Sequence, residues 1–261
     1  FLKAYGHMKQ NRSMIGDSLI GFAHNYYRNI DKVRGVRSGI AFAWYKFWVG
    51  DTPGAISMLD SLAGLPDVPD SIMMQTLRIR VLLGASEYQG YPLIPYAKRL
   101  MALETDSLRK IEAKYMLLTG YEYAGEMDSA LHLVDELVDY ARTHNMGDKQ
   151  FMFELERAQL LTEAGRNQES NHTVTEIFRK AGPDNGAADY LQFQYAINAL
   201  NTGDIRAASH HLALADSIAS SLRRDDDAYF RSYSNLLHAM IVFKQTGRIK
   251  LIYINGLNNR R

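Results

Sequence analysis

The chain has 261 residues, of which 46% are apolar and 23% are charged, and its formal net charge is +1. This composition is typical of a globular protein, and a charge so close to zero gives no reason to expect binding to nucleic acid or to a membrane surface. There is no cysteine, which excludes disulfides, thiol nucleophiles and cysteine-ligated metal sites, and which suits either a reducing cytoplasm or a bacterial periplasm.

Apolar residues recur at helical spacing along the chain, for example at Leu131, Val134, Leu137, Val138 and Ala141. The first predicted helix opens near Asp17 and ends near Arg28, and it has the features of the second helix of a pair whose first helix is mostly absent. Further helices are predicted at residues 36–49, 53–62, 71–87, 92–102, 107–124, 128–143, 151–164, 168–180, 187–202, 205–222 and 227–246. No stretch has the ~18 consecutive apolar residues that a membrane span needs.

A glycine recurs in the short turn within each predicted pair, and a small residue follows it five positions later. The full copies are Gly50 with Ala55, Gly125 with Ala130, Gly165 with Ser170, and Gly203 with Ala208, and weaker copies begin at Gly90 and Gly247. The steps between successive glycines are 40, 35, 40, 38 and 44 residues. A period in this range predicts a solenoid of stacked helix pairs.

Each part of the motif has a physical role. The glycine is expected at a positive φ, which costs little only for glycine. The acidic residue after it, Asp51, Glu126 or Asp204, is expected to cap the N-terminus of the next helix. The small residue is expected to be buried where the paired helices approach closely.

The best copies, Leu117-Leu118…Tyr121…Gly125…Ala130 and Phe42-Ala43…Gly50…Ala55, resemble the tetratricopeptide repeat (TPR) family. The resemblance covers roughly residues 17–258 and implies an all-α, right-handed superhelical solenoid of about six antiparallel helix pairs, forming one domain over residues 1–261. The chain departs from the family where the usual glycine of the first helix is replaced by Ala43, Leu83, Leu118, Ala158, Ala196 and Met240. Its units of about 40 residues also exceed the usual length of about 34.

A finer resemblance involves Asp17-Ser18-Leu19-Ile20…Tyr26-Tyr27…Asp31, which runs into Trp44-Tyr45-Lys46…Gly50-Asp51…Ala55. These residues look like the TPR sensor regions of certain bacterial membrane-anchored regulators, which precede a transmembrane helix and a signalling or DNA-binding output. The resemblance implies a sensor role and favours a periplasmic location. Because the chain begins with Phe1 and its predicted helix from residue 249 to 261 lacks a cap signal, we expect a segment of a longer protein.

No motif for catalysis or cofactor binding is present. The sequence lacks a Walker-type loop, a Gly-x-Gly-x-x-Gly turn, a Gly-x-Ser-x-Gly turn and a His-Glu-x-x-His pair. His210 and His211 are adjacent, so on a helix they point about 100° apart and are poorly placed to bind one metal ion. We therefore expect no catalytic residue, no cofactor and no metal site.

In TPR-like stacks the first helix of each pair lines the concave face, so residues six and two positions before each glycine are candidates for a binding groove. These positions hold Trp44 and Trp48, Gly84 and Tyr88, Thr119 and Tyr123, Gln159 and Glu163, Ile197 and Asn201. The ligand-groove candidates are Trp44, Trp48, Arg80, Tyr88, Tyr115, Glu122, Tyr123, Gln159 and Asn201. The alternative for the aromatic residues is packing between neighbouring pairs.

The leading functional hypothesis is a non-catalytic module that binds a peptide or partner protein in this groove. Tyrosine and tryptophan are favoured at such contacts because they bury a large area at low entropic cost. One alternative is a helical-repeat glycan binder or glycoside-processing enzyme, which would need two facing acids in the groove. Another is a structural spacer between an anchor and an output domain.

Overall fold

The computed structural model describes residues 2–182, 186–222 and 227–247, and over these ranges the chain forms α-helices and no strand. The helices are α1 Leu2–Lys9, α2 Ile20–Tyr27, α3 Lys32–Trp48, α4 Thr52–Ala63, α5 Asp70–Ser86, α6 Ile94–Leu103, α7 Ser107–Tyr123, α8 Met127–Thr143, α9 Gly147–Glu163, α10 Asn167–Ala181, α11 Ala188–Thr202, α12 Ile205–Ser221 and α13 Ala228–Thr246. The predicted all-α array of helix pairs is confirmed. The predicted helix at 249–261 lies outside the described residues.

The first of two compact units spans residues 1–133. Within it α3 packs against α4, α4 against α5, α5 against α6 and α6 against α7. The first helix of each pair also contacts the first helix of the next pair, α3 with α5 and α5 with α7. The core lies between the two rows of helices, around Ile40, Leu59 and Ile72. The short helix α1, which the sequence pattern did not predict, packs on α3 and adds Ala4 and Met8 to this core.

The second compact unit spans residues 134–261 and repeats the arrangement. Helix α9 pairs with α10 and α11 with α12, and α13 packs on α12. The first helices again form one row, because α11 contacts both α9 and α13. An apolar cluster of this unit joins Phe193 of α11, Leu212 of α12 and Leu237 of α13.

The predicted turn geometry is confirmed at Gly50, Gly125, Gly165, Gly203 and Gly247, which all have φ between 66° and 86°. It is wrong at Gly90, which does not have a positive φ. There the left-handed residue is Tyr88, with φ of 54°, two positions after the end of α5. Gly90 serves a different purpose, since a Cβ on it would lie 2.4 Å from the amide nitrogen of Ala124. A close approach of two backbones, and not a turn, requires glycine here.

The small residue five positions after each glycine is fully buried, as predicted, at Ala55, Ala130, Ser170 and Ala208. Two of the predicted caps are also confirmed. Asp51 accepts a hydrogen bond from the Gly54 amide at 3.0 Å, and Asp204 accepts one from the Ala207 amide at 2.9 Å.

Glu126 departs from the predicted capping pattern. Its Oε1 accepts a hydrogen bond at 2.8 Å from the hydroxyl of Tyr91, which lies in the link between α5 and α6. Aspartate is among the preferred residues for capping a helix N-terminus, whereas glutamate, one methylene longer, is not. The hydrogen bond of Glu126 instead connects Tyr91 to the start of α8.

Candidate functional site

Two of the predicted groove residues, Trp44 and Trp48, lie on α3 and are largely withdrawn from solvent. Trp44 is 8% exposed, stacks on Phe47 with ring centroids 5.3 Å apart and belongs to the apolar cluster of the first unit. Trp48 is partly buried against the same cluster. Trp44 thus follows the core-packing alternative, because α1 and α4 contribute to the cluster that surrounds it.

Arg80 of α5 is 2% exposed and points toward the second helices, away from an open surface. Its Nε donates to Asp60 Oδ1 of α4 at 2.5 Å, and its guanidinium carbon lies 4.6 Å from the ring centroid of Tyr96 on α6. Burial raises the pKa of Tyr96, and its hydrogen bond to Asp60 adds to the rise. Arg80 therefore joins three helices, and this position departs from the predicted place in a groove.

Three tyrosines form an exposed cluster in the first unit, and we call Tyr88, Tyr91 and Tyr123 the tyrosine patch. Their exposed fractions are 75%, 63% and 36%. The rings of Tyr88 and Tyr123 lie 5.3 Å apart at an interplanar angle of 54°. The hydrogen bond to Glu126 raises the pKa of Tyr91.

The backbone brings the tyrosine patch together at the ends of α5 and α7. Gly90 lets the segment after α5 lie against Tyr123, the last residue of α7, and Ala124, which follows it. Tyr88 belongs to the turn and not to the first helix, so the glycine offset placed it on the wrong element. The other two predicted residues of α7, Tyr115 and Glu122, are half-buried.

A cavity of about 290 Å³ opens on the row of first helices in the second unit. We call it the first-helix pocket. It is lined by Gln159, Thr162 and Glu163 of α9, Gln194 and Ile197 of α11, and Tyr233 of α13. The predicted candidate Gln159 lies in this pocket, whereas Asn201 lies outside its lining, with its Nδ2 donating to Asn167 Oδ1 at 3.1 Å.

A buried polar network fixes the floor of the first-helix pocket. Thr162 Oγ1 lies 2.7 Å from Asn198 Oδ1 and 2.9 Å from Ser170 Oγ, and Gln194 Nε2 donates to Thr162 Oγ1. Asn198 Nδ2 donates in turn to Ser170 Oγ at 3.0 Å. Because these four side chains are all buried, the orientation of the Gln194 amide is determined before any ligand arrives.

The electrostatics of the first-helix pocket depend on Glu163. Partial burial of its carboxyl raises the pKa of Glu163, while the residue as a whole is exposed at the rim of the pocket. Over the described ranges, no lysine, arginine or histidine forms an ion pair with this carboxylate. Other acids of this unit are paired, Asp135 with Arg157 at 2.6 Å and Glu154 with Lys180 at 2.8 Å.

The structure resembles solved proteins built from helix pairs. A single-substitution variant of a Podosopora anserina protein assigned as a kinesin light chain, with nearly identical TPR-like repeats, superposes with a TM-score of 0.59 at 14% identity, covering 73% of this chain and 97% of that one. The structure without the substitution gives 0.58 at 14% identity over the same shares. The apo form of RapI gives 0.58 at 12% identity, covering 79% of this chain and 80% of that one.

The chain has a TPR-like repeat fold. This confirms the resemblance that the glycine spacing indicated. No protein-family model and no curated protein sequence matches the chain. At 12–14% identity, the similarity to the solved TPR-like proteins concerns the fold.

Two further observations concern metal binding and membrane crossing. Among the described residues, no group of three or more histidines and acids is arranged to hold a metal ion. In the same part of the chain, no helix combines the length and the apolar character that crossing a bilayer requires.

The glycine offset identified Gln159, Glu163 and Ile197 of the first-helix pocket, because these residues share one face of the first helices. It missed Thr162, Gln194 and Tyr233. Thr162 is one position from Glu163 and points about 100° away from it, whereas Gln194 lies three positions before Ile197, nearly one turn earlier on the same face. The offset rule considered only two positions in each first helix, so it omitted residues one turn earlier such as Gln194.

Proposed function

We propose that this chain is a non-catalytic protein-interaction module that binds a peptide segment of a partner protein. Each unit offers a surface of its own, the tyrosine patch in the first and the first-helix pocket in the second. The observation that carries the proposal is the solvent-exposed contact between the tilted rings of Tyr88 and Tyr123. Tyrosine is among the residues that contribute most binding energy at protein–protein interfaces.

The backbone of Tyr88 supports the same proposal. A non-glycine residue at positive φ costs roughly 1–2 kcal/mol. The equivalent turns at Gly50, Gly125 and Gly203 use glycine at a positive φ, which avoids that cost. Local strain of this kind is concentrated at binding sites, where it holds a side chain in place for a ligand.

We further propose that the module is the sensor part of a bacterial signalling or transcriptional regulator. The resemblance of residues 17–55 to such sensors supports this finer assignment. Ligand binding would then control an output encoded in the same reading frame. Sequencing the complete gene tests it, since a transmembrane helix and an output domain after residue 261 are expected, and a gene without an output domain contradicts the sensor role.

The binding proposal is tested by selecting phage-displayed peptides on the full chain and measuring the affinity of a selected peptide by fluorescence anisotropy. We expect Tyr123→Ala to weaken binding about tenfold or more, which corresponds to about 1.4 kcal/mol and is typical of a hot-spot residue. Tyr26→Ala is the matched control, because Tyr26 is an exposed tyrosine of α2 outside the patch.

Two results would refute the proposal. One is a selection that yields no peptide, and the other is a selected peptide whose affinity is the same for Tyr123→Ala and for the unaltered chain. Thermal melting of both variants separates a lost contact from a lost fold. Truncating a fully buried aromatic costs about 3–5 kcal/mol, whereas a half-exposed ring such as Tyr123 should cost less.

A further inference from the structure

We infer that the first-helix pocket binds a basic side chain of the partner peptide, with the guanidinium of an arginine as the best fit. This inference rests on the proposed function, because it specifies the chemistry of one side chain of the bound peptide. Glu163 supplies a negative charge at the pocket wall that no described basic residue neutralises. A cation from the partner would complete the pair.

The pocket adds hydrogen-bond acceptors to this charge. Gln194 uses its Nε2 to donate to Thr162, so the carbonyl oxygen of the same amide remains available to a ligand. The Asn198 and Ser170 side chains hold Thr162 in place and thereby fix the direction of the Gln194 amide. A guanidinium carries five N–H donors in a planar fork and can satisfy a carboxylate and a carbonyl together.

The walls of the pocket suit the rest of an arginine side chain. Ile197 offers an apolar surface for the aliphatic stem, which long basic side chains bury while the charged group stays polar. The Tyr233 ring is held edge to face by Phe193, with centroids 5.3 Å apart and an interplanar angle of 86°. An aromatic ring next to a guanidinium adds a cation–π contribution.

The charge of the lining decides between a cation and an anion. The six lining residues include one acid and no lysine, arginine or histidine. A carboxylate or phosphate would therefore meet Glu163 without a compensating charge, and like charges brought together cost binding energy. The larger charged cavity of the same unit differs, because it contains Arg142, Arg157 and Lys180 beside its acids.

The test uses acetyl-arginine amide as the probe and its citrulline counterpart as the neutral isostere. The full chain is labelled at the isoleucine δ1 methyl groups, and the methyl signal of Ile197 is followed by NMR during titration. We expect the arginine derivative to shift this signal with a Kd in the millimolar range, and the citrulline derivative to bind about tenfold more weakly.

Glu163→Gln should reduce the affinity for the arginine derivative to the level of citrulline. Asp148→Asn, which removes an exposed acid from the first turn of the same helix, is the control and should leave the titration unchanged. Equal affinities for the two derivatives, an unchanged affinity in Glu163→Gln, or shifts confined to other isoleucines would overturn the inference.

The result is separable from that of the peptide selection, because the probe is a single amino-acid derivative. If peptides are selected on the chain while acetyl-arginine amide does not bind at Ile197, the proposed function stands and the basic subsite is refuted. If the arginine derivative binds in the pocket while no peptide is selected, the chemistry of the pocket stands and the proposed function fails.

Discussion

At the scale of single residues, Tyr88 combines an unfavourable backbone with an exposed ring, and the two contributions can be separated. Tyr88→Gly and Tyr88→Ala both remove the ring, but only glycine relieves the positive φ. We therefore expect Tyr88→Gly to be more stable than Tyr88→Ala by roughly 1–2 kcal/mol. Urea unfolding of the two variants measures this difference.

Asn145 provides a reference for the Tyr88 comparison. It also has φ of 54°, but asparagine tolerates this region, so the gain on replacing it by glycine should be smaller. Equal stabilities of Tyr88→Gly and Tyr88→Ala would mean that residue 88 does not hold a left-handed backbone. If Tyr88→Gly also weakens peptide binding, the residue gains function at a cost in stability.

At the scale of helices, α2 is seated on α3 at two glycines. A Cβ at Gly35 would lie 2.8 Å from the Cα of Arg28, and one at Gly39 would lie 3.0 Å from the ring of His24. The ring of His24 is buried in this contact, and its Nδ1–H donates to the Gly35 carbonyl at 3.1 Å. The imidazole thus packs in its neutral form between the two helices.

This packing predicts that stability depends on pH. Burial lowers the pKa of His24 below its ordinary value of 6.5; the hydrogen bond to Gly35 opposes the shift and Arg28 adds to it. The unfolded chain therefore binds more protons than the folded chain below about pH 6.5. The contribution of His24 is fully present above that pH and is lost as the pH falls through the lowered folded-state pKa.

We expect the free energy of unfolding to fall between pH 7 and pH 5 by more in the unaltered chain than in His24→Leu. Urea denaturation at several pH values checks this. His172→Gln, which replaces an exposed histidine of α10, is the control variant. An identical slope in His24→Leu would show that the ring is not buried in its neutral form.

The helix pairs could be predicted from sequence because the same local interactions recur in each pair. A glycine allows the left-handed turn, a small residue allows close approach, and apolar residues at helical spacing cover the contact. The predicted glycine turn after α5 was wrong because Tyr88 occupies the left-handed position, and a tyrosine gives no signal for positive φ. Gly90 matches the glycine spacing, but glycine is required there by the close contact with Ala124.

The candidate site was harder to predict because it depends on contacts between distant segments. Helical spacing put Trp44 on the first-helix face, but it could not reveal that α1 contributes to the same apolar cluster. Arg80 was taken as a groove residue, whereas its partners Asp60 and Tyr96 lie on two other helices. The first-helix pocket joins three helices, and only the fold brings Glu163 and Tyr233 to one cavity.

At the scale of the whole molecule, a repeat fold distributes stability in nearest-neighbour contacts. Each helix pair is stabilised mainly by the pairs beside it, so a local defect should stay local. Residues 1–133 and 134–261 form separate compact units, which provides two regions for this comparison. The sequence led us to propose a single domain over residues 1–261. Whether the chain unfolds as one cooperative unit can therefore be measured.

Ala208→Leu tests how far a defect propagates. Ala208 is fully buried in the apolar cluster of α11, α12 and α13, and overpacking at such a site costs about 1–3 kcal/mol. We expect faster amide hydrogen exchange in these three helices, measured by mass spectrometry, and unchanged exchange in α3 and α4. Arg206→Leu adds the same side chain at an exposed position of α12 and should change neither region. Equal acceleration in α3, α4 and α11–α13 would contradict local unfolding and show that the chain unfolds as one cooperative unit.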